Sequence, residues 1–244
     1  MKTVLLTMVI LTTLPVLPVR AGSSFESDGI PTSAGELAIT FLGHGSLIFT
    51  FDGKVIHVDP YGKAADYSSL PDADLVLITH EHADHFDQSA LGEISTGDTT
   101  VIANAAAGKM TGAVTMANGD VQTHLDLPIE AVPAYNIVHE RSPGVPFHPR
   151  GNGNGYVITF GDKRVYVAGD TENIPEMEKL KGVDIAFIPM NLPYTMTPEM
   201  AAAAVRMLRP AILYPYHFGA TDTARLTDLL QGEKGIEVRI RKMP

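Results

Sequence analysis

Residues 79–86 read Thr-His-Glu-His-Ala-Asp-His-Phe, the stretch of this chain best equipped for chemistry. His80, His82, Asp84 and His85 crowd three imidazoles and a carboxylate into one short segment. Neutral imidazole and carboxylate are good ligands for zinc, manganese or iron. Side chains alternate along an extended segment, so His80 and His82 share one side and can grip one ion. Asp84 and His85 come after the chain turns and can grip a second ion beside the first. A core or an idle surface is a poor account of such a cluster, because crowded imidazoles and carboxylates resist burial unless something organises them.

An element must aim these groups. The apolar run Asp74-Leu75-Val76-Leu77-Ile78-Thr79 has the length and composition of a buried strand. The histidines would then emerge at the strand's C-terminal end, where sites in α/β sheets usually lie.

The order His80-Glu81-His82-Ala83-Asp84-His85 resembles the metallo-β-lactamase-fold hydrolase superfamily. The resemblance implies an α/β fold, a four-layer αββα sandwich, and two divalent ions held by His80, His82, Asp84, His85, Asp170, His217 and a further His. It asks first for a carboxylate ending an earlier strand. Lys54–Pro60 offers Asp59, with Pro60 stopping the strand. In the superfamily such an Asp orients a ligand His from behind; a simple turn carboxylate is the other reading. Asp170, in Gly169-Asp170-Thr171, is the expected bridging carboxylate, since its two oxygens can touch two cations. His217, at the end of the strand-like Ile212–Tyr216, is the expected last ligand.

The third His has two candidates, His148 and His139. Tyr156–Phe160, the turn Gly161-Asp162 and Lys163–Ala168 read as a hairpin, which returns the chain beside its start. The partner of Asp170 should therefore sit shortly before the first strand, which favours His148. His139 precedes Glu-Arg-Ser-Pro-Gly and reads as a loop residue. The family pattern often places this His directly after an Ala-Tyr strand end, where this chain has Asn136. His44, between Gly43 and Gly45, reads as a pocket residue touching substrate or as a structural turn; its Gly-His segment also resembles the ascorbate-phosphate lactonase-like, uncharacterised hydrolase branch. Tyr194, in Asn191-Leu192-Pro193-Tyr194-Thr195, reads as a substrate contact or as packing beneath its loop.

The remaining sequence agrees with one large α/β domain over residues 36–244. Met1–Ala21 reads as a signal peptide, with a basic start, an apolar stretch and small residues at its end, implying export to a periplasm or the outside. Residues 22–35 read as a polar linker. Stable membrane insertion after leader removal is not expected. The chain has no cysteine, which removes disulfides and Cys ligands, and its net charge of −10 argues against a nucleic-acid partner. Leu47–Lys54 echoes Tyr156–Lys163, a hint of internal duplication. Helices are expected over Ile174–Lys181, over Pro198–Leu208 behind a Thr197 cap, and over Thr223–Leu230.

The resemblance then implies a hydrolase. Two cations acidify a water, the resulting hydroxide attacks an ester, lactone or phosphoester of a small molecule, and Asp84 moves a proton. A β-lactam hydrolase, a non-catalytic metal or ligand binder and a di-iron redox enzyme are the other readings. Seven N/O ligands predict that purified protein carries about two transition-metal ions per chain, zinc foremost, with manganese or iron fitting the same donors. Elemental analysis before and after controlled reloading measures this. A chain that holds only traces of every transition metal refutes it.

Overall fold

The computed structural model describes residues 25–243. The leader expectation, residues 1–21, lies outside the described residues. Strands β1 (Glu26–Thr32), β2 (Gly35–Gly43), β3 (Ser46–Phe51), β4 (Lys54–Val58), β5 (Leu75–Ile78), β6 (Thr100–Ala103) and β7 (Val114–Thr115) form one sheet in chain order. The second sheet contains β8 (Val121–His124), β9 (Leu127–Ala134), β12 (Gly153–Phe160), β13 (Lys163–Val167), β14 (Ile185–Pro189), β15 (Ile212–Tyr216) and β16 (Glu237–Val238). Between β9 and β12 a separate hairpin, β10 (Glu140–Ser142) with β11 (Val145–Pro146), stands apart from both sheets.

Side-chain alternation builds the layers. Leu75 and Leu77 of β5 face the second sheet, where they meet a core that includes Tyr156, Ile158 and Phe160 of β12. Val76 and Ile78 face the other way, onto α1 (Gln88–Ile94) and α2 (Ala105–Thr111). Val157, Ala186 and Ile188 likewise face away from the inter-sheet core, onto α3 (Pro198–Leu208) and α4 (Thr223–Leu229). The result is the αββα sandwich. Thr197 caps α3, its hydroxyl accepting from Met200 N at 3.1 Å, and Ala201, Ala202 and Ala204 are buried against the sheet.

The two sheets repeat one plan. β3 and β4 pair from Leu47↔Val58 to Phe51↔Lys54, and β12 and β13 pair from Tyr156↔Val167 to Phe160↔Lys163. In each case the hairpin's second strand then continues into parallel neighbours, β5 or β14. The echo between the two segments is thus an echo of structure.

Two expectations need correction. The polar linker of residues 22–35 contains β1, paired along its whole length with β2. It read as a linker because an edge strand can bury little: Ile30 is the one buried residue of β1. The segment Ile174–Lys181 folds as a 3₁₀ helix over Pro175–Leu180, with Met177 and Leu180 buried at the spacing of three that such a helix aligns. Among the described residues no helix is long and apolar enough to cross a membrane.

β1 is held by contacts across the full length of the chain. Asp28 accepts from Arg241 Nη2 at 2.8 Å, from Arg239 Nη1 at 3.3 Å and from the Tyr214 hydroxyl. Burial pushes the Asp28 carboxyl up, but these donors outweigh it and hold it below the ordinary carboxylate value. The group is more acidic folded than unfolded. Its stabilisation is complete above the unfolded value of about 3.9 and is lost as pH falls through the folded one. Asp28→Asn should therefore cost about 1–3 kcal/mol near neutral pH. That deficit should shrink toward zero below about pH 4. Urea unfolding of both proteins across this range tests it, and a deficit that persists unchanged in acid refutes the ion-pair account.

Candidate metal centre

The chemistry-bearing residues gather at one edge of the two sheets. Asp59 follows β4, Thr79 to His85 follow β5, Asp170 follows β13, and His217 follows β15. β12 runs antiparallel to β13, so His148, shortly before β12, starts from the same edge. Gly169, at φ +64°, makes the turn that delivers Asp170; a Cβ there would lie 2.8 Å from the Asn154 carbonyl. Gly45 plays a similar part, because a Cβ there would press on the His85 ring at 3.0 Å. His44, Asp59 and His217 themselves adopt left-handed backbone, with φ of 54°, 45° and 44°. Such conformations persist in non-glycine residues only where their surroundings over-determine them.

Two groups of potential donors result. His80, His82 and His148 form one, and His44, Asp84, His85 and His217 the other, the donor atoms of each group lying within 4.8 Å of one another. Asp170 stands between them and divides its oxygens. Oδ2 is 3.2 Å from His148 Nε2 and 4.0 Å from His80 Nε2. Oδ1 is 3.4 Å from both His85 Nε2 and His217 Nε2. Asp84 Oδ2 lies 3.1 Å from His44 Nε2, 3.8 Å from His217 Nε2 and 4.0 Å from His85 Nε2. His44, read from sequence as a pocket residue, therefore belongs to the second group.

Hydrogen bonds behind the rings fix which nitrogen faces inward. Asp59 is fully buried. It accepts from Thr79 N at 2.8 Å, from Thr79 Oγ1 at 2.7 Å and from His85 Nδ1 at 2.8 Å. Since the Thr79 hydroxyl proton goes to Asp59, that oxygen accepts from His80 Nδ1 at 3.0 Å. His148 Nδ1 donates to Asn136 Oδ1 at 2.7 Å. These bonds turn Nε2 of His80, His85 and His148 into the centre, the nitrogen that would face an ion.

The donor set fits divalent cations. His85 Nε2, His217 Nε2 and Asp170 Oδ1 are buried and have no hydrogen-bond partner among the described residues. An orphaned buried polar atom costs about 1–3 kcal/mol, and here three converge on one spot. The charge balance points the same way. Burial disfavours the His85 imidazolium, yet the carboxylates of Asp170 and Asp59 outweigh it and push His85 up to about 9. The site stabilises positive charge at that position, and an ion can take the proton's place. Burial instead brings His217 down to about 4 and His80 well below its usual value, leaving both imidazoles neutral and able to ligate.

Asn136 and Glu172, the latter not singled out in the sequence, set the orientations of His148 and His139. Glu172, fully buried, accepts from the backbone N–H of Ile137, Val138 and His139, from His139 Nδ1 at 2.7 Å, and from Asn136 Nδ2 at 3.1 Å. His139 is thereby turned away, while Asn136 is held with its oxygen toward His148. The departure at Asn136 supports the histidine rather than replacing it. Glu81 ties the motif to its surroundings, accepting from Asn104 Nδ2 at 3.0 Å and Asn152 Nδ2 at 2.8 Å, and the Asn191 amide lies 3.2 Å from His217 Nδ1. A Glu two residues past Asp170 was the available signal for Glu172, but no local pattern says where a loop's amides will converge. Tyr194 is 45% exposed, lines a cavity of about 410 Å³ with Asp84, His148 and His217, and meets Phe147 edge-on at 5.0 Å.

His148→Ala is expected to lower metal content by about one ion per chain and to remove most activity, while His139→Ala keeps its metal. Elemental analysis of the two variants side by side decides it. Metal loss in the His139 variant would reverse the assignment.

Comparisons with known proteins agree with this geometry. Residues 38–217 match the family described as Beta-lactamase superfamily domain. The UPF0173 metal-dependent hydrolase of Pyrococcus abyssi is 32% identical over 194 residues, covering 74% of this chain and 84% of that protein. The crystal structure of a candidate metal-dependent hydrolase from Parabacteroides distasonis superposes with a TM-score of 0.86 at 50% identity, covering 90% of this chain and all of that one. Igni18, a metallo hydrolase from Ignicoccus hospitalis, shares the fold at a TM-score of 0.68 and 24% identity, over 84% of this chain and 95% of that one. Two sheets whose strand ends converge on one His/Asp centre, within a sequence matched to this family over most of its length, make this chain a member of the metallo-β-lactamase-fold superfamily, among its metal-dependent hydrolases.

Proposed function

We propose that this hydrolase cleaves an ester, lactone or phosphoester-type bond in a small molecule, using two divalent ions. His80, His82 and His148 would hold one ion and Asp84, His85 and His217 the other, with His44 beside the second and Asp170 touching both. The observation that carries this reading is the Asp170 carboxylate, whose two oxygens face different histidine groups. Zinc suits the N/O donors, as do manganese and iron. Bound divalent ions supply Lewis acidity, polarising a substrate oxygen and acidifying water near neutral pH.

The chain's own residues supply position and proton handling. The Asp84 side chain is 39% exposed and borders the cavity. Burial pushes its carboxyl up, but the His44 hydrogen bond and the His85 charge outweigh this and hold it well below the ordinary range. Asp84 is therefore ionised at neutral pH, and its open side can take a proton from the attacking water. His44 Nε2 donates to the same oxygen and holds the carboxylate in place. Asp59, through Thr79 and His85, keeps a ring of each group aimed without touching substrate. His217 and Tyr194 line the same cavity.

Asp170→Ala should lower hydrolysis by roughly a hundredfold or more, because losing residues that merely support metal ligands already costs about 10–100-fold. It should also weaken the binding of one ion while circular dichroism stays native. A metal-reconstituted panel of lactones, phosphodiesters and β-lactams supplies the substrate for the comparison. Wild-type turnover in the variant would remove Asp170 from the centre.

A further inference from the structure

The hairpin of β10 and β11 borders the candidate metal centre and presents Arg141. This residue lines both cavities that open on the centre, of about 210 and 410 Å³, which share His82, Phe147, His148 and Asp170 with it. No lysine lines either cavity. Every other described arginine has a carboxylate within 4.0 Å: Arg150 on Glu176, Arg164 on Glu130, Arg206 and Arg209 on Glu233, Arg225 on Glu199, and Arg239 and Arg241 on Asp28. Arg141 alone among them has neither an ion-pair partner nor a side-chain hydrogen bond among the described residues. In a chain with net charge −10, carboxylates to pair with are plentiful, so the exception is informative.

The guanidinium is nevertheless placed. It lies 5.9 Å from the centroid of the Phe147 ring, and Phe147 in turn meets Tyr194. One face of the group is thus supported on an aromatic ring, and the N–H edge remains available. Guanidinium stays charged at all ordinary pH and matches the two coplanar oxygens of a carboxylate or phosphate.

We propose that Arg141 binds an anionic group of the substrate, a carboxylate or a phosphate, while the scissile bond lies between the two histidine groups. This rests on the hydrolase reading above. The substrate class is then a small anionic ester, lactone or phosphoester, with an apolar part against Phe147, Val145 and Tyr194. The anion is bound remote from the reacting atoms and serves orientation, so its loss shows mainly in KM.

The test uses metal-reconstituted wild-type protein, Arg141→Gln and Arg141→Lys, with metal content and thermal unfolding measured for each. Two esters differing in one carboxylate, 4-nitrophenyl acetate and mono-4-nitrophenyl succinate, report selectivity. Calorimetric titrations with succinate and with inorganic phosphate report anion binding and separate a carboxylate site from a phosphate site. Wild type should favour the succinate ester or bind one of the two anions. Arg141→Gln should weaken that preference or affinity by about tenfold, the scale of a lost charged hydrogen bond, and Arg141→Lys should recover part of it. Unchanged ester selectivity together with unchanged anion affinity in Arg141→Gln overturns the proposal, as does a wild type that binds neither anion and shows no preference. If wild type hydrolyses neither ester yet binds an anion through Arg141, the anion site stands and it is the hydrolase reading that fails on these esters.

Discussion

One buried carboxylate governs the orientation of both histidine groups. Asp59 accepts directly from His85 and, through the Thr79 hydroxyl, fixes His80, so a ring on each side of the centre depends on it. Its cost is desolvation, and three donors in two residues offset part of that cost. The fold makes this possible because β4 and β5 are parallel neighbours, which puts Asp59 and Thr79 side by side at the same edge. Without this arrangement an imidazole is free to present either nitrogen, and a ligand site loses its aim.

The centre also depends on the doubling of the sheet plan. Each half contributes a hairpin, parallel neighbours and a carboxylate after the hairpin's second strand, yet the two carboxylates have diverged. Asp59 lies behind the rings, with every donor around it satisfied. Asp170 lies in front of them, with Oδ1 left unpartnered among buried groups. The same fold position thus yields an orienting group in one half and a potential ion bridge in the other. The left-handed backbone at His44, Asp59 and His217 costs about 1–2 kcal/mol per residue, and backbone hydrogen bonds tie it down, His217 N donating to the His44 carbonyl and Asp59 N to the Leu77 carbonyl, each at 3.0 Å.

Parts of this were legible in the residue order and parts were not. The strands behind the site were legible because a buried parallel strand is a short apolar run, as in Leu75–Ile78. β1 was not, because an edge strand with Ile30 alone buried has the composition of a loop. The short helices α1 and α2 also went unread; seven residues each, they carry too little periodicity to stand out from the surrounding loops.

The amino-acid order by itself determined the chemistry of the centre. His80, His82, Asp84 and His85 are adjacent, and a strand followed by a turn suffices to bring them to one place. The sandwich followed from the resemblance that the His-Asp motif carries, and the wholly apolar Leu75–Ile78 agrees with a strand covered on both faces. Only the tertiary structure decided which distant residues join. His148 rather than His139 faces inward because Glu172 gathers the amides of residues 137–139 and holds Asn136, contacts between segments with no shared local pattern. Likewise, that Arg141 is the one described arginine without a carboxylate partner depends on where the chain's carboxylates come to rest. Local order can state what a group is able to bind, but what remains for it to bind is settled by the long-range packing that has already satisfied its neighbours.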